Sequence, residues 1–130
     1  MTQVFLVALG GAIGAILRYL TRRLTIRIAG KSNVLTGTVI ANSLGCLCAG
    51  ILLAWFTASD HPGEGIALFL TVGILGSYTT FSTFSLEVSR LMNESRDELF
   101  TYLFLQCILA ILLCAAGYMA TLWMMGGLNG

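Results

Sequence analysis

Hydroxyl groups, a carboxamide and two phenylalanines gather in this chain where an uncharged stretch would ordinarily carry leucine and valine. The segment Gly76-Ser77-Tyr78-Thr79-Thr80-Phe81-Ser82-Thr83-Phe84-Ser85 sits inside a run from Gly65 to Leu86 that lacks Lys, Arg, Asp and Glu. Phe81 and Phe84, three apart, fall on neighbouring sides of one helical face, close to Thr80 and Thr83. An aromatic ring has a positive edge, so edge-on phenylalanines can favour an anion without trapping it as an arginine would. Asn42, set among apolar neighbours, carries an amide with two N–H donors, which is what a small anion needs once it has shed water. Tyr102 and Gln106, four apart, form a second polar stripe. Each feature has a second explanation. Phenylalanines at this spacing also pack cores, and isolated polar side chains also join apolar helices by hydrogen bonds.

The elements that must hold these groups are membrane helices. About 20 residues at ~1.5 Å each cross the hydrocarbon core. Besides Gly65 to Leu86, the runs Met1 to Leu17, Ser32 to Ser59 and Leu99 to Gly130 contain no Lys, Arg, Asp or Glu. The charged fraction is 10% and the hydrophobic fraction 57%, the balance of a chain whose main solvent is lipid. The pattern predicts an all-α membrane protein, a single four-helix domain over residues 1–130. The helices are expected from about Val4 to Leu20, Leu35 to Phe56, Gly65 to Leu91 and Leu99 to Met125. The first charge, Arg18, follows the first apolar run rather than preceding it, so that run is expected to be a retained helix and not a signal peptide.

A net charge of +1 excludes the basic field that nucleic acid requires. The sole histidine, His61, sits beside the sole proline, Pro62, in the second connector with Asp60 and Glu64. Cys46, Cys48, Cys107 and Cys114 fall in apolar runs without a CxxC pair, which predicts small buried hydrophobes rather than zinc ligands or disulfides. Neither a nucleophile and base pair nor a metal-ligand set is in view, so no enzyme is expected.

Small residues recur at four-residue spacing at Gly37, Ala41, Gly45 and Ala49, and again at Gly10 and Gly14. Lipid gives helices no hydrophobic reason to associate, and close backbone approach through such stripes is the usual substitute. The stripes serve packing inside one subunit, or that and an oligomer contact. Four helices enclose too little volume for both a core and a polar pathway, so a transport site is expected between subunits of a dimer.

Gly76 and Ser77, followed by hydroxyl-rich residues, are expected to break the third helix near its middle, or else to pack it tightly through Gly73 and Gly76. Glu87 is the only carboxylate within reach of the membrane interior, which makes it a functional candidate by default. It could take protons, snorkel to the interface, or pair with Arg18 or Arg90. Arg18 reads as an interfacial anchor or ion-pair partner. The first and third connectors carry Arg22, Arg23, Arg27, Lys31, Arg90 and Arg96, whereas the second connector and the termini carry no Lys or Arg. The positive-inside rule puts those two connectors in the cytoplasm and both termini outside.

The string from Gly76 to Ser85, followed by Leu86-Glu87, closely resembles the signature of the Fluc (CrcB) family of bacterial fluoride channels. Gly10-Gly11-Ala12-Ile13-Gly14 with Leu17-Arg18-Tyr19 resembles that family's first helix, and Gly37-Thr38-Val39-Ile40-Ala41-Asn42 its second. The resemblance implies an antiparallel dimer in the bacterial inner membrane, passing fluoride along its subunit interface. It implies a structural Na+ at the centre, held by backbone carbonyls of Gly76 and Thr79 in broken third helices. Phe81 of one subunit and Phe84 of the other would line each pathway. Asn42 would lie along it, and Ser82, Thr83, Tyr102 and Gln106 would supply polar groups, with Arg18, Thr38 and Glu87 as further polar candidates. Gln106 stands where the fourth-helix polar track of that family often has serine.

An inverted homodimer needs nearly balanced loops, so the charge bias leaves open a partner encoded by a paired homologous gene. A proton-coupled exporter similar to small multidrug transporters is the competing class. It would need a carboxylate in the first helix, and Glu87 is the only substitute.

Overall fold

The computed structural model describes residues 1–59 and 63–128, so Asp60, His61 and Pro62 of the second connector lie outside the described residues. We number its helices α1 (Thr2–Ala29), α2 (Gly37–Ala58), α3 (residues 64–78), α4 (Phe81–Glu94) and α5 (residues 96–128). Four spans are long and apolar enough to cross a membrane: α1, α2, the α3–α4 pair over Glu64–Glu94, and α5 over Arg96–Gly126. Leu68–Leu75 in α3 and Leu105–Leu109 in α5 are wound as π-helix.

α1 runs well past the expected Leu20, because nothing between Arg22 and Ala29 breaks a helix; it stops at Gly30, whose φ of 68° only glycine adopts freely. Thr36 caps α2, its hydroxyl accepting from the Val39 N–H at 3.3 Å. Ser95 ends α4 and caps α5.

Packing follows glycine. α1 lies against α3 and α2 against α5. A Cβ on Gly10 would come within 2.6 Å of Phe69 O and 2.9 Å of Gly73 Cα, and one on Gly14 would overlap the Ile74 carbonyl. On α2 the expected stripe is partly redrawn. Gly37, Ala41 and Gly45 are buried, but Ala49 is exposed, and Gly50 makes the backbone approach, against the Cys114 carbonyl of α5. Gly117 returns that contact against Leu47 O, where a Cβ would stand at 2.5 Å. Val39, Leu91 and Tyr102 are fully buried and join α2, α4 and α5 at one end, with Phe84 and Val88 packed around them.

The cysteines divide instead of all being buried. Cys46 and Cys114 are half-buried, while Cys48 and Cys107 are exposed, because their helix faces point away from the chain's own core.

Candidate functional site

The helical ladder of the third span lapses at Thr79 and Thr80, just past Gly76-Ser77, where the sequence left open either a break or an intact helix packed through Gly73 and Gly76. Gly76–Tyr78 is still helical, whereas Thr79 (φ −78°, ψ 157°) and Thr80 (φ −148°, ψ 122°) are extended, and α4 starts at Phe81. The cause lies on another helix. Asn42 of α2 accepts the Thr80 N–H at 2.9 Å and donates to the Thr80 carbonyl at 3.2 Å, so one carboxamide satisfies both backbone groups of the residue at the break.

In a continuous helix the Thr80 and Thr83 N–H groups would point at the carbonyls of Gly76 and Thr79. Here the first goes to Asn42 Oδ1, and the second donates to the Thr80 hydroxyl at 3.3 Å. Both carbonyls thereby lose their helical donors. Gly76 is exposed, and the nearest atom to a Cβ built on it is Thr71 O at 3.6 Å.

The Thr80 hydroxyl also lies 3.2 Å from Ser82 Oγ and 3.1 Å from Thr83 Oγ1. These groups sit in the first turn of α4, where backbone N–H groups lack intrahelical acceptors and the helix dipole favours negative charge. On one side of Thr80 opens a cup of 330 Å³, bounded by Arg18, Arg22, Thr38, Ser82 and Thr83. On the other lies a groove of 350 Å³ lined by Asn42, Cys46, Thr79, Phe81, Phe84 and Gln106. Thr80 lines both.

Phe81 is 78% exposed and stands out from the chain, while Phe84 is half-buried. Their ring centroids are 5.7 Å apart, and Phe84 stacks on Tyr102 at 5.8 Å. Phe84 is therefore both a wall of the groove and a neighbour of the core. Gln106 reaches the groove, but its Oε1 is buried without a hydrogen-bond partner. Tyr102 is not brought to the groove: it is fully buried, and its hydroxyl donates to Glu87 Oε2 at 2.7 Å.

Glu87 pairs with neither Arg18 nor Arg90, because hydroxyls surround it. Thr36 donates to Oε2 at 2.8 Å and Thr38 to Oε1 at 2.9 Å, beside the bond from Tyr102. Arg90 instead lies 3.6 Å from Glu94 and donates to Asn33 Oδ1 at 3.1 Å. Glu87 borders a second cup of 380 Å³ with Arg22, Lys31, Thr36, Thr38 and Arg90, which adjoins the first through Arg22, Gly37 and Thr38.

Sequence reasoning did not single out Thr36 or Arg22. Thr36 left a signal, since a threonine immediately before an apolar helix reads as an N-cap. Arg22 left none, because it looked like one more connector charge.

The family described as "CrcB-like protein, Camphor Resistance (CrcB)" matches residues 5–118 of the chain. A fluoride-specific ion channel FluC of Dehalococcoides mccartyi is 46% identical over 87 residues, 67% of this chain and 66% of that relative, so the match spans just under two thirds of its length. The protein of the same description from Phocaeicola vulgatus is 39% identical over 127 residues, 95% of this chain and 98% of the relative. Fluoride-specific ion channel FluC 1 of Methanosarcina barkeri is 39% identical over 117 residues, 90% of this chain and 91% of the relative.

Proposed function

This chain belongs to the CrcB family, and from that premise we propose that it is a multi-pass membrane channel letting fluoride leave the cell passively through pathways at a dimer interface. The observation that carries the reading is the position of Thr80 and its Asn42 bridge, at the junction between a cationic cup and a phenylalanine-walled groove.

Fluoride is small, strongly hydrated and accepts hydrogen bonds, so a path for it must offer donors in place of water. The arginines of the cup draw the ion in. Ser82 and Thr83 hydroxyls and the first-turn N–H groups of α4 meet it beyond. Asn42 has one amide hydrogen left after its bond to Thr80, and that hydrogen can serve the passing ion. In the groove the positive edges of Phe81 and Phe84 hold the anion weakly, which suits conduction because a site that binds too well does not release. Energy input is unnecessary: in acidified surroundings fluoride is protonated to neutral HF, which crosses the membrane and dissociates to fluoride and a proton in the cytoplasm, and the ion then leaves down its own gradient.

A second, inverted subunit completes the path. The groove is open on one side, Phe81 projects from it, and an apolar groove of 500 Å³ lined by Gly45, Leu53, Phe56, Leu75 and Gly76 continues beside it. A partner laid there would bring its own phenylalanines opposite. Interrupted third helices crossing at the middle of the bilayer would satisfy the rule that irregular backbone at that depth stays inside protein.

The carbonyls of Gly76 and Thr79 fit a hard cation such as Na+, since oxygen donors stripped of their helical N–H partners are what such an ion takes. The ion would supply positive charge among oxygens gathered from two chains.

Fluoride efflux, against chloride, from liposomes holding the purified protein in its assembled form tests the proposal. Selective fluoride loss is expected. Vesicles that stay tight to fluoride with intact, assembled protein would overturn it.

A further inference from the structure

The arginines of α1 face two ways. Arg18 and Arg22 bound the cups described above, but Arg23 and Arg27 line a separate groove of 360 Å³ with Leu20 and Leu24 on the outer surface of the helix. These four residues fall at i, i+3, i+4 and i+7, one continuous face. Among the described residues neither Arg23 nor Arg27 meets a carboxylate within ion-pair distance. Arg23 lies over the Tyr19 ring, one turn back along the helix, 5.8 Å from its centroid.

The face is polarised along the membrane normal. Arg27 is in the last turn. Below it Leu24, Leu20, Leu17 and Ile16 are 56%, 52%, 44% and 59% exposed, forming an apolar strip that runs toward the bilayer interior. A helix of 28 residues is about 42 Å long, some 10 Å more than the hydrocarbon core, so its basic end reaches the headgroup layer.

We infer that this face is a binding site for an anionic phospholipid, whose headgroup phosphate sits between Arg23 and Arg27 and whose acyl chain lies along Leu24 and Leu20. Charge complementarity selects the occupant: two guanidinium groups without a carboxylate partner among the described residues, above exposed leucines, match the charge order of an acidic lipid, and guanidinium forks suit phosphate oxygens. A zwitterionic lipid fits the leucines equally well but brings its own cation to the arginines. The inference rests on insertion in a membrane and not on the transported ion.

Native mass spectrometry of the full assembled protein in micelles containing equal phosphatidylglycerol and phosphatidylcholine tests it. Adducts of phosphatidylglycerol should exceed those of phosphatidylcholine on the order of tenfold, as two screened basic contacts near a headgroup layer would give. The ratio should fall toward parity in R23Q/R27Q and persist in R96Q, which removes a charge elsewhere. Raising ammonium acetate from about 0.1 M to about 1 M should erode the wild-type preference, because the screening length drops from ~10 Å to ~3 Å. A wild-type protein without preference, a preference indifferent to salt, or one retained in R23Q/R27Q would overturn the assignment. Should the double variant not assemble, the salt titration of the wild type decides.

Discussion

Asn42 bonds to Thr80 through both ends of its amide, so its substitutions separate structure from conduction. Asn42→Ala leaves the Thr80 N–H and carbonyl unpaired, which should lower stability by about 1–3 kcal/mol, read as an earlier thermal transition in detergent. Asn42→Asp still accepts from the N–H, but it loses the donor to the Thr80 carbonyl, at a stability cost like that of Asn42→Ala, and adds a charge. Two unit charges ~4 Å apart repel by about 4 kcal/mol at an effective dielectric near 20, so fluoride flux should fall by roughly a hundredfold or more while assembly survives. Unchanged flux would take Asn42 off the path. The phenylalanines should also differ from each other. Phe81→Ile should abolish or sharply reduce flux at little cost in stability, because the ring is 78% exposed. Phe84→Ile should reduce flux and also destabilise by about 0.5–1.5 kcal/mol through loss of the stack on Tyr102. Retained flux in both would leave the rings as packing alone.

The helices pack where glycine lets backbones touch, so their tolerance to substitution should follow position and not residue type. Gly50→Leu drives a side chain into the Cys114 carbonyl and should cost 1–3 kcal/mol or more, by the usual magnitude of about that size for overpacking, whereas Gly63→Ala, with nothing within 4 Å, should leave the unfolding temperature unchanged. Equal effects would refute backbone contact as the origin of the packing. The four spans were legible in the sequence because uncharged runs of that length have one common use. The polar cluster was legible because hydroxyls are costly in lipid. The point of interruption was not. Gly76 and Ser77 weaken a helix locally, but what pulls Thr80 from the ladder is a side chain 38 residues earlier, and no periodicity within one helix reports that. The Glu87 contacts were hidden for the same reason. Thr36, Thr38 and Tyr102 reach it from two other helices, and at the level of sequence an arginine looked the more natural partner for a carboxylate.

Six of the seven basic residues cluster near two of the three connectors. Arg22, Arg23, Arg27, Lys31, Arg90 and Arg96 lie in or beside the first and third connectors, which makes a single insertion orientation the expected outcome. In a background without native cysteines, Gly63→Cys should then react with a membrane-impermeant reagent from one face of the cell membrane only. An inverted partner would in that case be a homologous second subunit, and reaction from both faces would instead report a chain that pairs with itself. Either way, Asn42 ties off the N–H and carbonyl of Thr80 inside the polypeptide, while the Gly76 and Thr79 carbonyls are left without helical donors. A newly inserted copy thus arrives with the bend itself secured and two bare oxygens still to be covered. In the dimer proposed above, joining two copies would dock prefabricated bends and cover those oxygens, with no refolding left to do in oil.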